Sequence, residues 1–200
     1  MKLDYSLLDK IYITSDTHAF HKNITRGTSE WGDNGVFKTR DFDHWQEMTE
    51  RMADNFNSVI PKNGILFHLG DWSFNGRDKI ELFRNMLNVE TIHLITGNHD
   101  EHIEKGEYDH LFTSRHKYLE LGIGQLHFAL FHFPIESWNE IRRGTFHLHG
   151  HQHLSGDMRF GNGRRMDIGV DGNNLFPYKL TDVIDMLKDR VFQSDYDQHR

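Results

Sequence analysis

The sequence predicts an α/β fold in which the first strands run parallel and a later pair forms a hairpin. In the first half, short β-branched and aromatic runs alternate with longer stretches that carry an apolar residue at every third or fourth position. In the second half, two apolar runs flank the sequence Gly-Ile-Gly, which is typical of a hairpin turn. The 200 residues contain no internal repeat and no linker, so we expect one domain spanning residues 1–200.

Three strands and two helices are predicted in the first half of the chain. Runs such as KIYITS and ILFHL are rich in β-branched and aromatic residues and stop at a carboxylate or a glycine. The predicted strands cover residues 10–15, 65–69 and 91–96. Apolar residues at helical spacing predict helices at residues 41–60 and 78–87.

The second half is predicted to contain the hairpin and four further elements. The hairpin pairs residues 118–121 with residues 125–131 around a turn at residues 122–124. The further elements are strands at 145–149 and 165–170 and helices at 134–141 and 181–188. Thr181 is the expected N-cap of the last helix. Residues 189–200 are polar, and we expect this tail to fray.

The composition excludes several classes of protein. The chain has no Cys, which excludes a disulfide framework and cysteine-based metal sites, and no apolar run long enough to span a bilayer. The N-terminus lacks the basic and apolar segments of a secretory leader. A net charge of −7 disfavours binding to long nucleic acids. We therefore expect a cytoplasmic protein with a small-molecule substrate and no membrane or stable nucleic-acid partner, and the oligomeric state stays open.

Histidine is abundant, with 16 in 200 residues, and this directs attention to metal binding. Imidazole, carboxylate and carboxamide side chains follow directly after predicted strands. Because groups beyond the carboxyl ends of strands meet at one edge of an α/β fold, we expect them to share a crevice. Gly70, Gly97 and Gly150 lie beside them and allow sharp turns close to a ligand. The side chains are Asp16, His18, Asp71, Asn98, His99, His132, His151 and His153.

This mixture of donors suits a pair of borderline divalent cations better than other metal sites. Structural zinc sites commonly use Cys, and magnesium or calcium sites use oxygen ligands. Two cations about 3.5–4 Å apart clamp a phosphoryl group and convert bound water into hydroxide near neutral pH. The pattern therefore predicts hydrolysis of phosphate esters by a metal-bound hydroxide. Manganese is the first candidate, and iron, nickel and zinc accept the same ligands.

Five short motifs resemble, in the same order, the five blocks of the calcineurin-like metallophosphoesterase superfamily. They are DTH at residues 16–18, GD at 70–71, GNHD at 97–100, His132 and GHQH at 150–153. The chain is most similar to small single-domain members of bacterial and phage type. The resemblance implies two packed mixed β-sheets flanked by helices, and a dinuclear metal-dependent phosphodiesterase or phosphatase.

The resemblance also implies a role for each matching residue. One ion would be held by Asp16, His18 and His153. The other ion would be held by Asn98, His132 and His151. Asp71 would bridge the two ions. His99 would protonate the leaving oxygen or stabilise the charged phosphoryl group, and Asp100 would orient the His99 ring.

Two departures from the patterns of the superfamily favour a small substrate. Its protein phosphatases follow Gly-Asp with a segment that ends in Asp-Arg-Gly, whereas the sequence WSFNG stands at residues 72–76 here. Its lipid A pathway hydrolases place Arg where this chain has His99. We therefore expect a small phosphate monoester or diester, with nucleotide-like substrates favoured.

Four more residues are weaker candidates for contacts with the substrate. His21 and Asn23 follow His18 closely, so the same loop could bring them over the substrate. Arg142 and Arg143 belong to the main basic concentration of an acidic chain, and a guanidinium binds phosphate in a bidentate manner. A solvated surface of mixed charge is the alternative explanation for the arginines.

Two other functions stay open on the sequence alone. The chain could be a nuclease that acts on DNA or RNA, although its acidic balance and the lack of an appended DNA-binding domain argue against this. It could also be a metal-binding module without catalysis. Such a module would bind metal stoichiometrically and would hydrolyse no phosphate ester.

Overall fold

Two mixed β-sheets flanked by helices form an α/β sandwich, which confirms the predicted fold class. The computed structural model describes residues 1–31 and 39–193, and each sheet has five strands within these residues. In chain order the strands are β1 (Lys2–Leu3), β2 (Ile11–Thr14), β3 (Ile65–His68), β4 (Thr91–Ile95), β5 (Ser114–His116), β6 (Tyr118–Ile123), β7 (Leu126–Phe131), β8 (Phe146–His149), β9 (Arg165–Asp167) and β10 (Tyr178–Lys179). The helices are α1 (Trp45–Val59), α2 (Asp78–Met86), α3 (Glu101–Glu104) and α4 (Leu180–Leu187). Within the described ranges, no helix has the length and hydropathy to cross a bilayer.

The strand order of both sheets brings the carboxyl ends of several strands together. One sheet has the order β10-β2-β3-β4-β5, and its strands β2 to β5 are parallel. The other has the order β1-β6-β7-β8-β9, with β7, β8 and β9 parallel. Ser15, just after β2, forms a parallel bridge with Gly169, just after β9. This bridge joins the two sheets at the edge where the parallel strands end.

Two hydrophobic clusters hold the layers together. Between the sheets, Ile13 and Phe67 belong to the same buried cluster as Phe128 and Leu148 from the facing sheet. Successive residues of a strand point to opposite faces, so Leu66 belongs instead to the cluster that includes α1 and α2. Every residue of β3 is therefore buried, which explains its continuous apolar run.

The helix predicted at residues 41–60 is present as α1, but it begins at Trp45. The preceding segment is held in another conformation, because Arg26 N–H donates to Arg40 O and Gly27 N–H donates to Phe42 O. The backbone of this segment therefore pairs with the loop at residues 26–27 instead of forming helical hydrogen bonds. The helical spacing of the apolar residues does not reveal this competing interaction.

The end of the chain also differs from its predicted boundaries. Lys179, rather than Thr181, is the N-cap of α4, because Lys179 pairs with β2 as part of β10. Thr181 therefore lies inside the helix. The strand predicted at 165–170 ends at Asp167, since the chain leaves the sheet for the bridge beside Ser15.

The helix predicted at residues 134–141 is wrong. This segment is a loop followed by a single turn of 3-10 helix at Ile141–Arg143. Ile135 N–H donates to His147 Nε2 at 3.2 Å, and Trp138 Nε1–H donates to Thr145 O at 3.0 Å. These contacts with the β8 region replace the hydrogen bonds that a helix would make.

The predicted hairpin is present with a shorter turn. Ile123 pairs with Leu126, so only Gly124 and Gln125 connect the strands. Gly124 has φ +59, a left-handed conformation that glycine adopts without strain. Gly122 lies within β6, opposite His127.

Part of the predicted polar tail is bound to the domain. Arg190 Nη2–H donates to Gly161 O at 3.0 Å, and Gln193 N–H donates to Asn162 Oδ1 at 2.9 Å. Residues 189–193 therefore follow α4 along the loop before β9. Residues 194–200 of the predicted tail lie outside the described residues.

Replacement of Phe67 by Ala should reveal how strongly the sheets depend on their shared core. Phe67 is fully buried, so we expect Phe67→Ala to lower the free energy of unfolding by about 3–5 kcal/mol in urea denaturation. Leu82→Ala is the control, since Leu82 is 44% exposed and should cost about 0.5 kcal/mol or less. Equal losses in both variants would contradict the described packing.

Candidate metal centre

The carboxyl-end edge of the sandwich gathers two groups of metal-binding side chains. In each group the donor atoms lie within 4.8 Å of one another. One group is Asp16, His18 and His153. The other is Asp71, His132 and His151. In each group, some residues follow strands of one sheet and the others follow strands of the second sheet. Neither group could therefore hold a metal ion before the sandwich has formed.

Asp71 connects the two groups. Its Oδ2 atom lies 3.4 Å from His18 Nε2 and 3.5 Å from His132 Nε2. Its Oδ1 atom accepts a hydrogen bond from the backbone N–H of His99 at 3.0 Å. One carboxylate oxygen is therefore directed towards imidazoles from two different donor groups, which is the placement that a bridging ligand needs.

The hydrogen bonds of His132 show which of its nitrogens can bind a cation. Nδ1–H donates to Leu69 O at 2.7 Å, which leaves Nε2 with a free lone pair. Nε2 lies 3.0 Å from Asn98 Oδ1 and also faces Asp71. One nitrogen and two oxygen atoms thus converge, and these are donor types that could hold a divalent cation.

His153 is oriented in the same way in the other group. Its Nδ1–H donates to Asp171 Oδ2 at 2.7 Å, so its Nε2 is the ring nitrogen that remains for a cation. That atom lies 3.2 Å from His18 Nε2 and 3.9 Å from Asp16 Oδ1. Carboxylates commonly orient metal-binding histidines by such a bond. The donor set of this group therefore also fits a cation.

Burial shifts the pKa values of two candidate ligands, Asp16 and His18. Burial raises the pKa of Asp16 to about 7, although the nearby His153 opposes the shift. Burial, together with the neighbouring His153, lowers the pKa of His18 well below its ordinary value. A neutral imidazole is the form that binds metals, and a cation beside Asp16 would favour its ionised carboxylate.

The backbone of the candidate ligands is strained. Non-glycine residues adopt positive φ uncommonly, and such residues cluster at functional sites at a cost of about 1–3 kcal/mol each. Five candidate ligands have φ between 44° and 73°. They are Asp16, His18, Asp71, His151 and His153. The packing of the fold therefore holds the backbone of these five residues in a conformation that non-glycine residues rarely adopt.

Two glycines are required by the close approach of the loops. A Cβ atom at Gly150 would collide with the side chains of Ser15 and Asp16. A Cβ atom at Gly97 would collide with Asp71 Oδ1. Both glycines therefore leave room for side chains of neighbouring loops, and room beside a ligand stays a prediction.

Asp100 does not orient the His99 ring, contrary to the role that the resemblance implied. Its Oδ2 accepts hydrogen bonds from Asp71 N–H and Gly97 N–H, both at 2.8 Å, and its Oδ1 accepts one from Trp72 N–H at 3.0 Å. The carboxylate is fully occupied by backbone donors. Asp100 therefore positions the Asp71 loop, while the His99 side chain is exposed at the rim.

His21 and Asn23 have different surroundings although they share one loop. The His21 ring lies beside the centre, with its centroid 5.8 Å from that of His18. His21 Nδ1 accepts hydrogen bonds from the backbone N–H groups of Asn23 and Ile24, both at 3.1 Å. Asn23 Oδ1 accepts one from Glu30 N–H at 3.1 Å. The Asn23 side chain thus closes its own loop, and no contact among residues 1–31 and 39–193 places it at the centre.

Arg142 and Arg143 are not brought to the crevice. They precede β8, whereas His151 and His153 follow it, so the two pairs lie at opposite ends of that strand. Arg143 Nη1–H donates to Glu140 Oε1 at 3.0 Å. Strand direction therefore separates these arginines from the donor groups, and their contact with a non-reacting part of the substrate stays a prediction.

Arg40 and Asp171 are functional candidates that the sequence prediction missed. Both side chains are almost fully buried, and they form a bidentate pair with distances of 2.8 Å and 2.9 Å. Arg40 also donates to Asp16 O at 2.7 Å and to Thr17 O at 3.0 Å. The pair therefore links the loop that carries Asp16 to the carboxylate that orients His153.

The charge of Arg40 keeps Asp171 ionised. Burial alone would raise the pKa of Asp171, but the charge and hydrogen bonds of Arg40 hold this pKa well below its usual range. Asp171 directly follows a predicted strand, as the other candidates do, so its position in the sequence could have identified it as a candidate. Arg40 follows no predicted strand, so no comparable signal marked it.

Comparisons with known proteins agree with the fold and leave the function to be argued from the site. No family model matches the chain. An uncharacterised protein from Methanocaldococcus jannaschii is 28% identical over 185 residues, covering 90% of this chain and 92% of that protein. A protein of unknown function from Aquifex aeolicus matches with a TM-score of 0.62 at 20% identity, covering 88% of this chain and 98% of its own. A conserved uncharacterised protein from Streptococcus pneumoniae, a predicted phosphoesterase, has a TM-score of 0.37 at 15% identity, covering 80% of this chain and 70% of that chain.

Loss of Arg40 should destabilise the protein strongly. Arg40→Met leaves Asp171 buried without its cation, and we expect the free energy of unfolding to fall by about 3–5 kcal/mol in urea denaturation. The exposed Arg51 on α1 provides the matched control, and Arg51→Met should cost about 0.5 kcal/mol or less.

A second variant separates the lost pair from the lost packing of the Arg40 side chain. Arg40→Met/Asp171→Asn removes both charges and should recover part of the stability lost in Arg40→Met. If Arg40→Met is as stable as the Arg51→Met control, the pair has no structural importance.

Proposed function

We propose that the protein is a metal-dependent phosphoesterase that hydrolyses small phosphate esters with two divalent cations. One observation carries this proposal: Asp71 Oδ2 lies 3.4 Å and 3.5 Å from imidazole nitrogens of two separate donor groups. A carboxylate shared by two donor groups is the central requirement of a two-cation site. The predicted superfamily resemblance supports the same reaction.

The donor groups divide naturally between two cations. The first would be held by Asp16, His18 and His153. The second would be held by His132 and His151, with Asn98 Oδ1 beside His132. Asp71 would contact both. Nitrogen and oxygen donors of this kind favour borderline ions, with manganese as the first candidate and iron, nickel and zinc as alternatives.

Two divalent cations in this crevice would neutralise phosphoryl charge and lower the pKa of water, which supplies a nucleophile at neutral pH. The protein itself contributes a fixed frame. Asp171 orients His153, Leu69 O orients His132, and Asp100 fixes the backbone of Asp71. Because these partners are in place before a substrate binds, little reorganisation is needed during the reaction.

His99 is the side chain best placed to assist the leaving group. Its backbone N–H is held by Asp71 Oδ1, which fixes the residue at the rim of the donor groups. Its ring is exposed, and its centroid lies 5.6 Å from that of His18. It can therefore reach a substrate at the centre and donate a proton to the departing oxygen.

The charge of the chain supports a small substrate. The net charge of −7 repels a polyanion such as DNA or RNA. Arg142 and Arg143, which could contact phosphates, lie at the other end of β8 from the donor groups. A small monoester or diester is therefore favoured over a nucleic-acid substrate.

Asp71→Asn should abolish turnover. Even residues behind metal ligands cost 10–100-fold when replaced, so loss of the shared carboxylate should lower the rate by more than about 100-fold. Hydrolysis of p-nitrophenyl phosphate and bis(p-nitrophenyl) phosphate is measured with added manganese, and bound manganese is measured by equilibrium dialysis. Asp54→Asn, at an exposed position of α1, is the matched control and should retain both.

The same assays test the alternative of a metal-binding module without catalysis. Wild-type protein that binds manganese stoichiometrically but hydrolyses no phosphate ester would be a metal-binding module, and the proposed reaction would be wrong. Nearly normal activity in Asp71→Asn would disprove the shared-ligand role.

His99→Ala should slow the reaction in a way that depends on the leaving group. A general acid contributes roughly 10²–10⁴-fold, mainly for alkoxide leaving groups, because nitrophenolate needs little protonation. We expect a larger loss of kcat for an alkyl phosphate ester than for the nitrophenyl ester, with bound manganese unchanged. His110→Ala, at another exposed histidine, is the control. Equal losses for both esters would contradict a proton-donating role.

A further inference from the structure

A row of aromatic rings leads outward from one side of the candidate metal centre. The Phe74 ring lies next to His99, with centroids 4.8 Å apart, and next to His18, with centroids 5.2 Å apart. The His21 ring lies against Phe74 at 3.9 Å. Trp31 continues the row at 5.5 Å from His21. We call Trp31, His21 and Phe74 the aromatic row.

Core packing does not explain these rings. Neither Phe74 nor Trp31 belongs to the two hydrophobic clusters formed by the described residues. Trp31 is 54% exposed, and Phe74 is only partly buried. Large aromatic side chains kept at a surface beside reactive groups are typical of ligand-binding sites.

The loop that carries Phe74 is held in place. Phe74 N–H donates to Ala19 O at 2.8 Å, and Ser73 forms a parallel bridge with Ala19. The Asn75 side chain donates to Phe20 O. His21 is fixed separately, because its Nδ1 accepts two backbone N–H groups. The rings therefore form a preorganised surface, which reduces the entropy lost when a ligand stacks on them.

A pocket of about 200 Å³ adjoins this surface on the side of His99 and His102. Phe74 and His99 both line it. Ser73 also lines it, and the buried Ser73 hydroxyl has no hydrogen-bond partner in the described part of the chain. The lining residues that the structure describes include neither Lys nor Arg, so the pocket suits an uncharged group with a polar edge.

We infer that the aromatic row binds a planar heteroaromatic ring of the substrate, so that nucleoside phosphates are preferred over aliphatic ones. The inference rests on the proposed function for the reaction, but ring binding itself can be measured without turnover. A stacked base gains affinity from any π-face and needs only one or two polar contacts at its edge. The row supplies the π-face, and the exposed polar side chains of Asn75 and His102, which line the adjoining pocket, can supply contacts at the edge of the base.

The test compares AMP with ribose 5-phosphate, which share the sugar and the phosphate and differ by the base. Dissociation constants are measured by calorimetry on manganese-loaded protein, with released phosphate assayed in parallel so that hydrolysis is scored separately. We expect AMP to bind roughly 5- to 100-fold more tightly, the range that one stacked base contributes. Equal affinities would overturn the inference.

Variants identify the rings that are responsible. Phe74→Leu keeps an apolar side chain and removes the ring, so it should weaken AMP binding and leave ribose 5-phosphate binding unchanged. Phe133→Leu is the matched control, because Phe133 is also a partly buried phenyl ring beside a candidate ligand, with its centroid 4.7 Å from that of His151. It should leave the AMP preference intact.

Trp31→Leu is a second variant that should not disturb folding, since the indole is largely exposed. It should reduce the AMP preference by a smaller factor than Phe74→Leu. A wild-type AMP preference that neither variant reduces would place the base elsewhere and overturn the inference. A base preference without hydrolysis of any ester would support the aromatic subsite and refute the proposed reaction. Hydrolysis without a base preference would support the proposed reaction and overturn the aromatic subsite.

Discussion

The placement of one buried carboxylate, Asp71, between imidazoles from two groups is the constraint on which the rest of the site depends. The Asp71 carboxylate can face both groups only if other chain segments hold it in this position. Asp100 binds its backbone N–H, and the backbone N–H of His99 binds its Oδ1 atom. Asp71 itself has φ 58, a conformation that the packing around it must impose. The loops after β3 and β4 therefore have to form together.

The buried carboxylates of the crevice need neighbouring groups that balance their charge. An isolated carboxylate taken out of water is costly, and Asp16, Asp71 and Asp171 are all almost inaccessible. Arg40 balances Asp171 directly, whereas imidazoles face the other two. This arrangement leaves a concentration of lone pairs and negative charge that favours cations. It also explains why one buried arginine, which is bonded to Asp16 O and to the Asp171 carboxylate, matters to the geometry of the donor atoms.

Strand direction divides the sandwich into two ends with different chemistry. The donor groups, His99 and the aromatic row lie where the parallel strands end. Arg142 and Arg143 lie where β8 begins. Under the proposed function, a substrate at the first end would be recognised by cations at its phosphate and by rings at the remainder. The guanidinium groups of Arg142 and Arg143, a side-chain type that often binds phosphate, lie at the other end of β8 from the donor groups.

The sequence by itself determined the parallel strands and the donors that follow them, because both are local patterns: an apolar run, then a glycine or a carboxylate. Contacts between distant segments were decided by the tertiary structure. Arg40 and Asp171 are 131 residues apart, and no local pattern pairs them. Asp100 stands next to His99 in the chain, yet its carboxylate binds backbone groups of another loop. Side-chain partners depend on which loops meet, and that depends on how the two sheets pack.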